Sequence, residues 1–200
     1  GAIEGYYVGG LVGFLRNVRM DSEITDNYNT GLLSGFRVAG AMSNYERDGS
    51  GDYDNSMLTI NNFYNTGEFV SLENVAGVIA YVNGNITINN SYNESDIISE
   101  TQTSYAGGLV AYKQYWGTVT INNSYNTGDI ITPLKTYVGG LVGFSDHRTT
   151  QGYNPLGGLE ISNSYNIGLI EGSSVGGLVG YVRSYVKIEK SFNMGSIIAT

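Results

Sequence analysis

Short apolar runs alternate with polar, turn-forming ones along the whole chain, and the runs return almost word for word. The stretch "INNSYNTGDII" begins at Ile121, "ITINNSYNESDII" at Ile86, "ISNSYNIGLI" at Ile161 and "INNFYNTGEF" at Ile60. Two anchors alternate strictly. One is a "GGLVG(F/Y)" phrase whose second small residue is Gly10, Gly40, Gly77, Gly108, Gly140 and Gly177. The other is an "xYN" phrase centred on Tyr28, Tyr64, Tyr92, Tyr125, Tyr165 and Phe192. The chain is therefore one domain, 1–200, of six repeats: 6–35, 36–73, 74–104, 105–136, 137–174 and 175–200.

Positions around the second anchor hardly vary. Four residues before each aromatic stands an isoleucine: Ile24, Ile60, Ile88, Ile121, Ile161, Ile188. One residue after it comes Asn29, Asn65, Asn93, Asn126, Asn166 and Asn193, and five after it Leu33, Phe69, Ile97, Ile130, Ile170 and Ile197. Such uniformity means that each position meets its own copy in the neighbouring repeats.

The apolar runs are short, β-branched or aromatic, and broken by Gly and Asn, which predicts strands. Three strands per repeat are expected, around 141–144, 120–125 and 129–132. Stacked in parallel copies they give an all-β fold, a right-handed parallel β-solenoid (β-helix) of six coils. The Asn after the aromatic is expected at a corner in left-handed conformation, with its amides stacked into a ladder. Spacings between the diglycines vary (40 − 10 = 30, 77 − 40 = 37, 108 − 77 = 31), and the extra residues are read between "LVG(F/Y)" and the isoleucine. "RDGSGDYDNSM" and "DHRTTQGYNPLGG" sit there, which predicts variable loops on one side. A propeller needs about 40 residues per blade, and the repeat from Tyr165 to Phe192 has only 27.

Composition narrows the function classes. A formal net charge of −8 disfavours nucleic acid and anionic membrane surfaces as partners. Cysteine is absent, which removes disulfides, zinc-thiolate sites and thiol catalysis. No apolar run is long enough to span a membrane. The chain opens at Gly1 without a signal peptide, as expected of a mature product or an excised piece.

"VGGLVGF" at Val8 and Val138, "VGGLVGY" at Val175 and the "NSYNTG" that follows resemble the bacterial GLUG-motif repeat family over essentially the whole chain. Repeats two ("VAGAMSNY") and three ("VAGVIAY") depart from the phrase but keep small and apolar residues. The resemblance implies part of a large secreted or surface protein, such as an adhesin or an accessory region of an immunoglobulin A-cleaving metallopeptidase. It does not imply catalysis.

Candidate chemistry is sparse. The zinc peptidase pattern needs two histidines on a helix, and only His147 exists. Ser145, Asp146 and His147 are chain neighbours, which point to alternate sides and form no nucleophile–base relay. Glu68, Asp96 and Asp129 share one repeat position and should stack about 4.8 Å apart. Such an acidic ladder is a hydrated stripe unless a cation binds it, or unless it serves glycoside chemistry as paired carboxylates do. Asp48, Ser50, Asp52 and Asp54 alternate as in calcium loops, without an EF-hand's terminal acid or helices, so calcium is the one cofactor the pattern admits.

The diglycine strand places Val138, Val142 and Phe144 on one face and Leu141 with the glycines on the other. One face must point outward, giving an apolar stripe of Phe14, Tyr81, Tyr112, Phe144 and Tyr181, covered by the chain's own loops or by a host protein or glycan. The expected function is a non-enzymatic structural or adhesive module, extracellular or at the cell surface. The alternatives are a spacer or docking region of a secreted peptidase, and a glycan-binding or glycan-active β-helix. Both ends fall at nearly one phase of the coil, so head-to-tail stacking into a filament is expected if neighbouring repeats of a longer chain do not cover them.

Overall fold

The computed structural model describes residues 1–16, 20–47, 56–99, 105–134, 137–147 and 157–200. Every strand pairing is parallel, and the described residues contain no helix. The protein is a parallel β-solenoid. A coil has five short strands rather than three, because the backbone bends at the diglycine and again on either side of Tyr-Asn.

Each strand position forms a column up the stack. The first column is Ala2–Gly9, Leu32–Ala39, Val75–Ala76, Tyr105–Gly107, Tyr137–Gly139 and Ser174–Gly176. After the diglycine bend comes the second: Val12–Arg16, Met42–Glu46, Ile79–Asn83, Val110–Lys113, Val142–Ser145 and Val179–Val182. The third is Ser22–Thr25, Met57–Asn61, Asn85–Asn89, Val119–Asn122, Gly158–Ser162 and Tyr185–Glu189, and the fourth is the six Tyr-Asn or Phe-Asn pairs. The fifth carries Phe69–Ser71, Ile97–Ile98, Ile130–Ile131, Ile170–Gly172 and Ile197–Ala199, while in the first two coils its strand is continuous with the first column. Register follows the repeat: Ile24, Ile60, Ile88, Ile121, Ile161 and Ile188 pair in succession. A one-residue slip would turn this isoleucine row to solvent, so the apolar pattern itself fixes the stacking.

Coil length varies between the second and third columns, and also at a second place. From the fifth to the first column the chain runs directly in the last coil (Gly172 to Ser174) but takes longer paths from Ile98 to Tyr105 and from Ile131 to Tyr137.

The interior is divided in two. One apolar cluster gathers Met42, Ile60, Ile88, Ile121, Leu141, Val142 and Ile161 between the second and third columns. The other gathers Val38, Phe69, Ile97, Ile130, Val138 and Ile170 between the fifth and first. Between them the glycine that ends each small-residue pair packs on the Asn of its own coil. A Cβ on Gly108 would collide with Gly140 O and with Asn126 Cβ, and one on Gly140 with Gly177 O and Asn166 Cβ. That contact explains why the position is glycine in all six repeats.

The left-handed corner residue is not the Asn after the aromatic. It lies two positions before it, at Asp26, Asn62, Asn90, Asn123, Asn163 and Lys190, with φ between 47° and 57°. Asn and Asp tolerate this conformation best among residues with a Cβ.

Candidate functional site

The Asn after the aromatic forms a ladder through the interior. Asn29, Asn65, Asn93, Asn126 and Asn166 each donate Nδ2–H to Oδ1 of the Asn in the following coil, at 2.7–3.0 Å. The second amide proton goes to the carbonyl two residues on, as from Asn126 to Gly128 at 2.7 Å. Asn65, Asn93, Asn126 and Asn166 are fully buried, so their amides are consumed by structure. Beside them a serine ladder fastens the backbone: Ser91 N donates to Ser124 Oγ and Ser124 N to Ser164 Oγ, at 3.0 and 3.1 Å.

Outside the ladder the anchor aromatics make one column. Tyr28, Tyr64, Tyr92, Tyr125, Tyr165 and Phe192 stack with centroids 4.7–5.4 Å apart and planes within 10°. Their faces cover one another, leaving edges and hydroxyls to solvent. Burial and then the neighbouring ring of Tyr92 push the Tyr125 phenol up to about 12.

The apolar stripe sits at the angle between the first and second columns. Phe14 and Tyr181, in the end coils, are 39% and 40% exposed, but Tyr81 and Phe144 are only 7% and 5% exposed. The expectation of an outer stripe covered by loops or a partner is therefore corrected at Tyr81 and Phe144, while Tyr112 is half-buried. A second row of rings from the first column does the covering. Tyr105 and Tyr137 pack on Phe144 at 5.2 and 5.1 Å, and Phe144 stacks on Tyr112 at 5.3 Å. Leu141 and Val142 both face the interior, because the bend at Gly140–Leu141 interrupts strict alternation. Gly143 interrupts it again: a Cβ there would lie 2.6 Å from the carbonyl oxygens of Ala106 and Ala111. Three coils lack the full ring pair, holding Arg37 with Asn44, Asn74 with Tyr81 and Ser174 with Tyr181; in the first of these the Arg37 guanidinium lies 5.7 Å from Tyr7 and 4.8 Å from Tyr81 while pairing with Glu73. Among the described residues the adjoining buried Asn74 amide has no partner for either side-chain atom.

The acidic ladder does not gather its carboxylates. Asp96 Oδ1 accepts from Asp129 N, and Asp129 Oδ1 accepts from Leu169 N, each at 2.8 Å. The acids thus extend the backbone ladder across a corner, and Glu68, on the same position, is exposed. Among the described residues no three His, Cys, Asp or Glu converge on a common point. Asp48, Ser50, Asp52 and Asp54 lie outside the described residues. Ser145, Asp146 and His147 have separate partners: Ser145 Oγ meets Ser184 Oγ at 2.7 Å, Arg183 Nε approaches Asp146 Oδ1 at 3.6 Å, and His147 Nδ1 lies 3.3 Å from Tyr115 O.

Two features have no counterpart in the sequence reading. Lys113 is fully buried between Val82 and Ser145 of adjacent coils, and its ammonium donates to Asp146 O at 2.9 Å. Burial, only partly countered by the Asp146 charge, pulls this amine down to about 8. The other is an exposed aliphatic ridge on the outer side of the fifth column, formed by Val70, Ile98 and Ile198 with half-buried Ile131 and interrupted by Glu171. Its signal was present: the residue after the trailing isoleucine is apolar where a strand's outer side calls for a polar one. Comparison with known protein families, with curated proteins and with solved structures returned no match.

Proposed function

We propose that this chain is a rigid, non-enzymatic module of a secreted or surface-attached bacterial protein, and that its adhesive surface is the fifth-column ridge. Continuous amide, serine and ring ladders support the rigid part of this reading, and the similarity of the "VGGLVGF" phrases to GLUG repeats supports the setting. The carrying observation is the exposure of Val70, Ile98 and Ile198 along the fifth column, since aliphatic side chains in a row on an outer sheet face mark an interaction surface. A net charge of −8 disfavours nucleic acid and anionic lipid as partners, which leaves proteins and their glycans to be tested.

The test is retention of purified extracellular-matrix glycoproteins, and separately of their released glycans, on the immobilised chain. The double variant Val70→Ser, Ile98→Ser should bind at least about tenfold more weakly, the loss of roughly one good contact, with an unchanged circular dichroism spectrum. Equal retention by the variant would remove the ridge from the proposal. Retention of nothing would sink the adhesive reading and leave that of a spacer.

A further inference from the structure

The aliphatic ridge of the fifth column runs beside a row of acids. In the second, third and fourth coils its outward side chains are Val70, Ile98 and Ile131, stacked in register. Two residues earlier in the same coils stand Glu68, Asp96 and Asp129. Val70 and Ile98 are 53% and 55% exposed, and Glu68 and Asp96 are exposed next to them. Ser34 and Glu171 bound the aliphatic row on either side.

The acids have no counter-charge of their own. Asp96 and Asp129 each commit one oxygen to a backbone amide of the next coil, which holds both carboxylates at this corner. Among the described residues none of the three acids enters an ion pair. No lysine or arginine occurs in 66–72, 94–99 or 127–134. The face therefore presents an aliphatic rail and, parallel to it, a negative rail. A partner that buries the first must answer the second with positive charge.

Spacing selects the partner's secondary structure. Coils succeed one another at about 4.8 Å, so three side chains of the rail span about 10 Å. The apolar stripe of an α-helix returns about every 5.3 Å and makes the same two steps in about 11 Å. An extended strand shows same-face side chains about every 6.7 Å and needs about 13 Å. The helix stays within about 1 Å of the rail, and the strand is out by about 4 Å. Sugars fit poorly, because the rail is aliphatic and the rings of the adjoining Tyr column cover one another's faces.

We infer that the ridge docks a cationic amphipathic helix lying along the stack. Its apolar stripe packs on Val70, Ile98 and Ile131, and lysines or arginines flanking that stripe face Glu68, Asp96 and Asp129. The inference rests on the adhesive reading of the ridge and names the chemistry of what it binds.

Fluorescence anisotropy of labelled synthetic peptides against the full chain tests it. Three peptides share one Leu and Lys content: leucines at helical spacing, strict Leu-Lys alternation, and a scramble. The helical peptide should bind at least about tenfold more tightly than the other two. The triple variant Glu68→Gln, Asp96→Asn, Asp129→Asn keeps the oxygens that accept from the backbone. It should bind the helical peptide about tenfold more weakly and lose most of the salt dependence. Val70→Ser, Ile98→Ser should weaken binding by a similar factor while keeping the salt dependence, and circular dichroism checks that both variants fold. Equal binding of the three peptides by the unaltered chain overturns the helix dock, as does undiminished binding by either variant. Retention of glycoproteins through the ridge without binding of the helical peptide overturns this inference and leaves the adhesive reading standing.

Discussion

Ile161 and Ile188 hold the same place in adjacent coils, yet the first is buried and the second is 45% exposed. The same holds for Asn126, bonded to ladder partners on both sides, and Asn193, bonded on one. Residue identity and backbone geometry are alike, so the contrast isolates what a second neighbour contributes. In a one-dimensional stack each coil is stabilised by its two interfaces, and an end coil has one. Substitutions at equivalent positions should then differ in cost by position in the stack alone.

The largest difference is expected in the ladder. Asn126→Ala strands the Asn93 donor, the Asn166 acceptor and the Gly128 carbonyl inside the protein. At roughly 1–3 kcal/mol for each buried group left unpaired, partly relieved by relaxation, the loss should be about 4 kcal/mol. Asn193→Ala frees the Gly195 carbonyl and one Asn166 proton near solvent and should cost about 1 kcal/mol. Urea unfolding of the two variants checks the ratio, and equal costs would show that the ladder does not carry energy from coil to coil.

Next comes the isoleucine row. Ile161→Ala opens a cavity between Ile121 and Ile188 and should cost about 3 kcal/mol. Ile188→Ala removes side chain that is already half in water and should cost about 1 kcal/mol. Hydrogen exchange sharpens the comparison: protection at the third-column strand Tyr185–Glu189 should fall before that at Val119–Asn122, because stacks open from their ends.

This contrast also marks what the sequence made legible. Repetition revealed the solenoid, the number of coils and the register, because a position that pairs with its own copy cannot vary without disturbing two neighbours. Asn126 and Ile121 were readable for that reason. The bends were not. That Leu141 and Val142 both point inward depends on the main-chain turn at the diglycine, and a period of two cannot represent a corner. Residue type alone does not separate Asn123 from Asn126 as the left-handed residue, and only the backbone places it at Asn123. Lys113 gave no signal, since its row reads Leu15, Tyr45, Val82, Lys113, Ser145, Val182 and carries no shared chemistry.

The aromatic stripe tests the same contrast on the outer side. Phe144, enclosed by Tyr105, Tyr137 and Tyr181, should lose about 2 kcal/mol on replacement by Ser. Tyr181→Ser, in the end coil, should lose less than about 1 kcal/mol. If Phe144→Ser leaves the urea midpoint unchanged, the rings do not pack as a unit.

The smallest effect concerns Lys113, and its sign is opposite. The folded amine titrates at about 8, below its ordinary value of 10.5, so folding favours the uncharged form. Below pH 8 the unfolded and folded chains are both protonated, and the folded one bears the full cost of a buried charge. As pH rises from about 8 toward 10.5 the folded amine is neutral while the unfolded one still holds its proton, and that cost is lifted. Lys113→Met keeps the apolar stem, removes the charge and gives up one hydrogen bond to Asp146 O. At pH 7 the variant should be more stable than the unaltered chain by about 1 kcal/mol, the charge penalty less the lost bond. Its advantage should shrink as pH climbs through that window. Above pH 10 both proteins should lose stability together, because Tyr81, Tyr112 and Tyr125 resist ionisation when folded, chiefly through burial. Urea midpoints of the pair at pH 7 and pH 10 settle the point: a variant less stable at pH 7 would mean that the bond to Asp146 outweighs the buried charge.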